Sequence, residues 1–252
     1  MSVHQIYYQN GAKFMRPISS EEELRQLRNS ERQQSLVAQA RGLDSTGSPT
    51  EAKRKLLQFN YSCLPNEDGS LKGSTRLSGS VGMDIDFNED DNQAENLSNE
   101  IRDRILSMKD ELGLLFFERS ATKGYHIAFK RHAELSQELN LQWASHLLGV
   151  KYDEGAKDHT RVFFSSTASE DDLLFVSPEL FDNETVFPVY RPSGDEQPQD
   201  AGFGVGTNLG VYSQGSSNSN SETGNSQSST EGGFSGFCQD YDGIPTWCLS
   251  KR

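Results

Sequence analysis

Cysteine, basic residues and apolar residues are all scarce in this chain. Cys63, Cys238 and Cys248 are odd in number and show no CxxC spacing. That speaks against a disulfide framework or a structural zinc, and for a reducing compartment. There is no run of eighteen apolar residues, so no membrane-spanning helix is expected. The N-terminus MSVHQIYYQN has no basic-then-apolar signal pattern, and a cytoplasmic location is expected. Hydrophobic residues make up 33% of 252, and the mean hydropathy is −0.70. That is low for a fully globular chain, so part of it is expected to be disordered. With 24 Lys+Arg against 37 Asp+Glu the formal charge is −13, which taken whole argues against a phosphate-binding surface.

The charge is blocky, and that changes its meaning. Residues 1–83 are net +3, 84–112 net −7, 113–161 net +1, 162–190 net −6 and 191–252 net −4. Residues 213–236 are almost wholly Ser, Asn, Gly, Gln and Thr, which cannot bury enough surface to offset chain entropy. A disordered linker is expected over 191–236, followed by a short apolar segment, 237–252. The folded part is expected to be 1–190, with 1–44 as an N-terminal strand and helix.

Within it, strands are expected at Val3–Tyr8, Tyr61–Leu64, Leu77–Phe87, Leu114–Arg119, Tyr125–Lys130 and Arg161–Ser166. Helices are expected over Ser20–Ala40 with a Ser19 or Ser20 N-cap, near Pro49–Gln58, over Asn92–Leu112 ending at Gly113, and over Ser136–Leu148 ending at Gly149. The alternation lacks a strict βαβ period, so the pattern predicts an α+β domain with a mixed or antiparallel sheet.

Three short stretches carry candidate chemistry. In Gly82-Met83-Asp84-Ile85-Asp86-Phe87 two carboxylates lie at i and i+2 of a strand, on one face and about 6.5–7 Å apart. Like charges that close repel unless a cation lies between them, and hard oxygen donors suit Mg²⁺ or Mn²⁺. A strand end running into an acidic loop would give the same pair. In Ser120–Phe129 a turn holding Lys123 and Gly124 leads to His126 on the next strand. Backbone N–H groups, a Lys and a His so placed could meet a phosphate, although an ordinary hairpin would look alike. In Lys157–Ser166, Asp158 could supply a third carboxylate and Arg161 a phosphate contact, with a local ion pair as the plain alternative. Each stretch sits at a strand edge, so one sheet could present all three to one cleft.

In that order the chain resembles the archaeo-eukaryotic primase (primase-polymerase) superfamily, and more narrowly the VirE N-terminal, mobile-element type. The match runs over roughly residues 45–190: Asp84-x-Asp86, Gly124-Tyr125-His126, Asp158-x-x-Arg161, and Ser177-Pro178-Glu179-Leu180-Phe181 after the last strand. The family's small-x-His usually opens on Ser, where this chain has Gly124. The resemblance implies a primase-polymerase-like fold and two-metal nucleotidyl transfer from nucleoside triphosphates on a single-stranded DNA template. Asp84, Asp86 and Asp158 would be the catalytic metal ligands, with Asp153 and Glu154 as competitors for the third place. Lys123, Gly124, His126 and Arg161 would bind the nucleotide. Lys53, Arg54, Lys55 and Arg76 are candidates for template contact, and Arg25, Arg28 and Arg32 share a predicted helix face. No GxxxxGK[ST] is present, so a helicase would be a partner on another chain. A degenerate binding module of the same fold and a metal-dependent nuclease are the rival readings.

Overall fold

The computed structural model describes residues 3–86, 94–122, 124–182 and 187–188. These all belong to one unit, Met1–Arg191. Lys123, the expected linker 191–236 and the segment 237–252 lie outside the described residues.

The unit is α+β, with two four-stranded antiparallel sheets and six helices among the described residues. The first sheet is built from β1 (His4–Gln9), β2 (Ala12–Pro17), β3 (Gln58–Asn60) and β8 (Phe163–Phe164), in the order β2-β1-β3-β8. The second is built from β5 (Ser80–Ile85), β6 (Leu114–Arg119), β7 (Tyr125–Lys130) and β9 (Leu173–Val176), in the order β5-β7-β6-β9. A further pair joins β4 (Arg76–Leu77) to β10 (Phe187–Pro188). The helices are α1 (Glu21–Arg28), α2 (Glu31–Ala40), α3 (Pro49–Lys55), α4 (Ala94–Ser107), α5 (Lys109–Leu112) and α6 (Gln137–Leu148).

Alternation along the second sheet explains the layering. Met83, Ile85, Phe117, Tyr125, Ile127 and Phe129 turn to one side and pack with Ile101, Ile105, Leu141 and Leu148 of α4 and α6. Phe116 and Ala128 turn to the other side and pack with Phe59, Tyr61 and Phe163. The second sheet is thus covered by helices on one face and by the first sheet on the other.

Local signals account for most boundaries. Ser20 caps α1, its hydroxyl accepting from Glu23 N, while Glu23 accepts from Ser19 N. Gly113 and Gly149 end α5 and α6 in the left-handed conformation. Strands β6 and β7 and helix α6 fall where expected. Of the expected elements, the helix Asn92–Leu112 breaks at Met108 into α4 and α5, the helix from Pro49 stops at Lys55, and the strand Arg161–Ser166 shrinks to β8. Three further corrections have a visible local cause. The single helix over Ser20–Ala40 is two, because the Ser30 hydroxyl accepts from Gln33 N and starts a second helix. Arg25, Arg28 and Arg32 therefore share no helix face. The strand Tyr61–Leu64 is displaced to β3, because Asn60 Oδ1 accepts from Ser62 N and Cys63 N and curls the chain out of the ladder. The strand from Leu77 is interrupted at Ser78-Gly79, where the buried Arg131 guanidinium takes the carbonyls of Ser62, Ser78 and Ser80. One hairpin was not anticipated. Asn10 and Gly11 both have positive φ, 50° and 77°, the turn that joins β1 to β2.

A candidate carboxylate site at the end of the second sheet

Antiparallel register builds the centre of the site. Asp84 of β5 stands opposite His126 of β7, and His126 stands opposite Glu118 of β6. Three ionisable side chains therefore form one row across three adjacent strands, on the face turned to the first sheet. His126 Nδ1 lies 2.9 Å from Glu118 Oε1, and its Nε2 lies 3.5 Å from Asp84 Oδ1. Its ring and that of Phe163 of β8 meet in a T-shaped contact, with centroids 5.4 Å apart.

Glu118 is 0% exposed and is held from every side. It pairs with the Arg28 guanidinium, and its Oε2 accepts from Ser165 Oγ, Ser166 N and Ser166 Oγ, each at 3.3 Å. Arg28 is equally buried, and that desolvation brings its pKa down to about 10. The Arg28–Glu118 pair fixes the imidazole so that Nε2 faces the carboxylates.

Asp86 follows the last residue of β5, and Asp153 enters from the loop after α6. Asp153 N donates to Asp84 O at 2.9 Å, which ties that loop to the strand. Ligand oxygens of Asp84, Asp86 and Asp153 lie within 4.8 Å of one another. Arg161 reaches the same group, 2.5 Å from Asp153 Oδ2 and 3.8 Å from Asp84 Oδ2. Asp84 Oδ1 is buried and accepts no hydrogen bond. Burial pushes the Asp84 carboxyl pKa up, with the neighbouring His126 pulling the other way. Burial also holds His126 below the ordinary histidine value. An orphaned buried carboxylate oxygen flanked by two more carboxylates suits a hard divalent cation.

The turn before β7 is shaped by one glycine. Gly124 has φ +85°, and a Cβ there would stand 1.8 Å from the carbonyl oxygen of Ile85. No larger residue fits between the end of β5 at Ile85 and this turn. The absence of the Ser hydroxyl at 124 is thus a consequence of close backbone approach.

A cleft of about 130 Å³ is lined by Asp84, Asp86, His126, Arg161 and Lys53, with Ser120–Thr122 on its rim. Lys53 comes from the last turn of α3 and donates to Thr122 Oγ1 at 3.3 Å. Five of the residues singled out from the sequence are therefore together. Others are not. Asp158 is not part of the carboxylate group; its Oδ1 accepts from Thr160 N and Thr160 Oγ1. Arg76 donates to Pro65 O. Arg54 and Lys55 line a different groove. Glu118 had no local sequence signal, and Arg28, singled out on a predicted helix face, is fully buried against Glu118 and not exposed to a template. Cys63 is buried and free, its thiol pushed up to about 12 by burial.

No protein-family model, curated protein or solved structure matches this chain. Among the described residues no helix is long and apolar enough to cross a membrane.

Proposed function

We propose that the chain is a metal-dependent nucleotidyltransferase of the primase-polymerase kind, working on a single-stranded DNA template with nucleoside triphosphates. The observation that carries this reading is the cleft itself: Asp84 and Asp86 line it with Lys53, His126 and Arg161, and Asp153 converges on the same two carboxylates. That combination matches a reaction in which a phosphate chain must be held beside divalent cations. Asp84, Asp86 and Asp153 would hold Mg²⁺ or Mn²⁺. A bound ion there would lower the pKa of an attacking hydroxyl and offset triphosphate charge.

The chain's own residues do the rest. Lys53 and Arg161 supply cations to phosphate oxygens, and Arg161 trades its contact with Asp153 for one with substrate. His126 offers Nε2 as a hydrogen-bonding group, held in place by Glu118 at Nδ1. The Gly124 turn keeps the β5 end close to β7 and so fixes the spacing of Asp84 and Asp86.

The test is template-directed incorporation of labelled nucleotide by wild type and Asp84→Asn, with Mg²⁺ and with Mn²⁺. Incorporation by wild type, lost in Asp84→Asn, is the expected result. No incorporation with either ion would end the enzyme reading, and equal activity in the variant would end the assignment of the site. One observation favours a second reading. Arg161 already neutralises two of the carboxylates, as it would in a binding module of the same fold that has given up catalysis. Wild-type protein that binds DNA but never binds Mn²⁺ would favour that module. Degradation of DNA without nucleotides would favour a nuclease.

A further inference from the structure

Helix α3 presents three consecutive cations, and they part company. Successive helical residues are about 100° apart. Lys53 reaches Thr122 at the carboxylate cleft, whereas Arg54 and Lys55 line a separate groove of about 540 Å³. Arg32 of α2 contributes a third cation from the opposite helix, and Tyr7 and Tyr8 of β1 close the groove at the hairpin. Among the described residues no Asp or Glu lines it. Arg32, Arg54 and Lys55 make no ion pair among the described residues.

Tyr7 is 41% and Tyr8 57% exposed, two of the four large hydrophobic residues so exposed among the described residues. Tyr7, on the opposite face of β1 from Tyr8, is backed by the ring of its cross-strand partner Phe14, at 5.8 Å. Tyr8 is pinned by its hydroxyl, which donates to Gln58 Oε1 at 3.3 Å. A held aromatic ring beside unpaired cations matches a backbone of phosphates with unstacked bases.

We propose that this groove is a single-strand nucleic-acid binding site, separate from the carboxylate cleft. Arg32, Arg54 and Lys55 meet successive phosphates, and the Tyr8 ring, held at Gln58 of the groove, stacks on a base. A duplex keeps its bases stacked inside, so it cannot offer them to Tyr8 and is the poorer ligand. An acidic peptide would satisfy the cations but leave the Tyr8 ring without a partner. The site does not rest on the carboxylate cleft being catalytic, because binding can be read without nucleotides or divalent ions.

The experiment is fluorescence anisotropy of labelled oligothymidylate and oligouridylate with the full chain in EDTA, repeated over a salt series. A hairpin duplex and a labelled poly-glutamate peptide serve as rival ligands. Wild type should bind at least one single strand more tightly than the duplex, and the ratio of the two strands tells DNA from RNA. Arg54→Gln/Lys55→Gln should weaken that binding and lower the log–log salt slope by about 1.4, or 0.7 for each phosphate no longer neutralised. Tyr8→Ala should weaken it about tenfold with the slope unchanged. Lys109→Gln, on α5, should do neither. The proposal is overturned if the double variant binds as wild type does, if the duplex binds best, or if only the acidic peptide binds. Loss of incorporation in Asp84→Asn with single-strand binding intact would leave this groove standing on its own.

Discussion

The buried pair between Arg28 and Glu118 makes the most quantitative forecast, and it is independent of any activity. Both side chains are fully buried, so each depends on the other for compensation of its charge. Glu118→Gln keeps the shape but removes the charge and replaces an accepting oxygen with a donor. Arg28 is then left with neutral partners alone, among them the Ser166 carbonyl, 3.3 Å from its Nε, and the Phe116 ring, 5.3 Å from its Cζ. Breaking a buried ion pair from one side costs about 3–5 kcal/mol. In a domain of this size that lowers Tm by roughly 6–20 °C. Arg28→Met should cost a similar amount, because Glu118 would stay buried with only hydroxyls, one N–H and the imidazole. Removing both charges together should cost much less than the two losses added. The assay is urea unfolding of wild type, both single variants and the double variant, with constant m-values as the check on two-state behaviour. Additive losses, with coupling below about 0.5 kcal/mol, would refute the claim that the two charges compensate each other.

Three further outcomes are expected. Burial raises Asp84 above its ordinary 3.8, so the folded state holds its proton more firmly, and stability is lost as pH rises from there through the folded value. At pH 7.5 in EDTA, Asp84→Asn should therefore melt no lower than wild type, yet lose the rise in Tm that Mn²⁺ gives wild type; an equal Mn²⁺ shift in both would contradict this. His126 runs the other way: its depressed pKa leaves the folded imidazole neutral, so stability falls as pH drops below about 6.5, and an uncharged replacement such as His126→Gln should flatten that limb of a Tm–pH curve. Asp153→Asn should weaken Mn²⁺ binding at least tenfold while Asp158→Asn leaves it unchanged, measured by calorimetry, and the reverse order would restore Asp158 as the third ligand.

Much of the site was written locally. Asp84 and Asp86 are legible because strand alternation puts i and i+2 on one face. Gly124 and His126 are legible because a small turn between two apolar runs must be a hairpin. Capping serines and terminal glycines marked most helix ends for the same short-range reason. The Asn10-Gly11 signal was equally local and marks a hairpin that the composition of the flanking strands disguises, since Tyr7, Tyr8, Lys13 and Arg16 break any simple apolar alternation.

What the amino-acid sequence determined by itself, then, is most of the second sheet's elements and the chemistry aligned along each strand, because both depend on neighbours within a few residues. What only the tertiary structure decided is which carboxylate completes the group and what holds the histidine. Asp153 and Asp158 are alike in sequence, one on each side of a single 3-10 turn over Glu154–Lys157. Only the bond from Asp153 N to Asp84 O turns the first toward the site and leaves the second to Thr160. Glu118 meets His126 through cross-strand register, and Arg28 meets Glu118 through the packing of α1 against the sheet. Such pairings join residues 8 and 90 positions apart, and a long-range contact is fixed by the whole sheet and its covering layers rather than by the residues that make it.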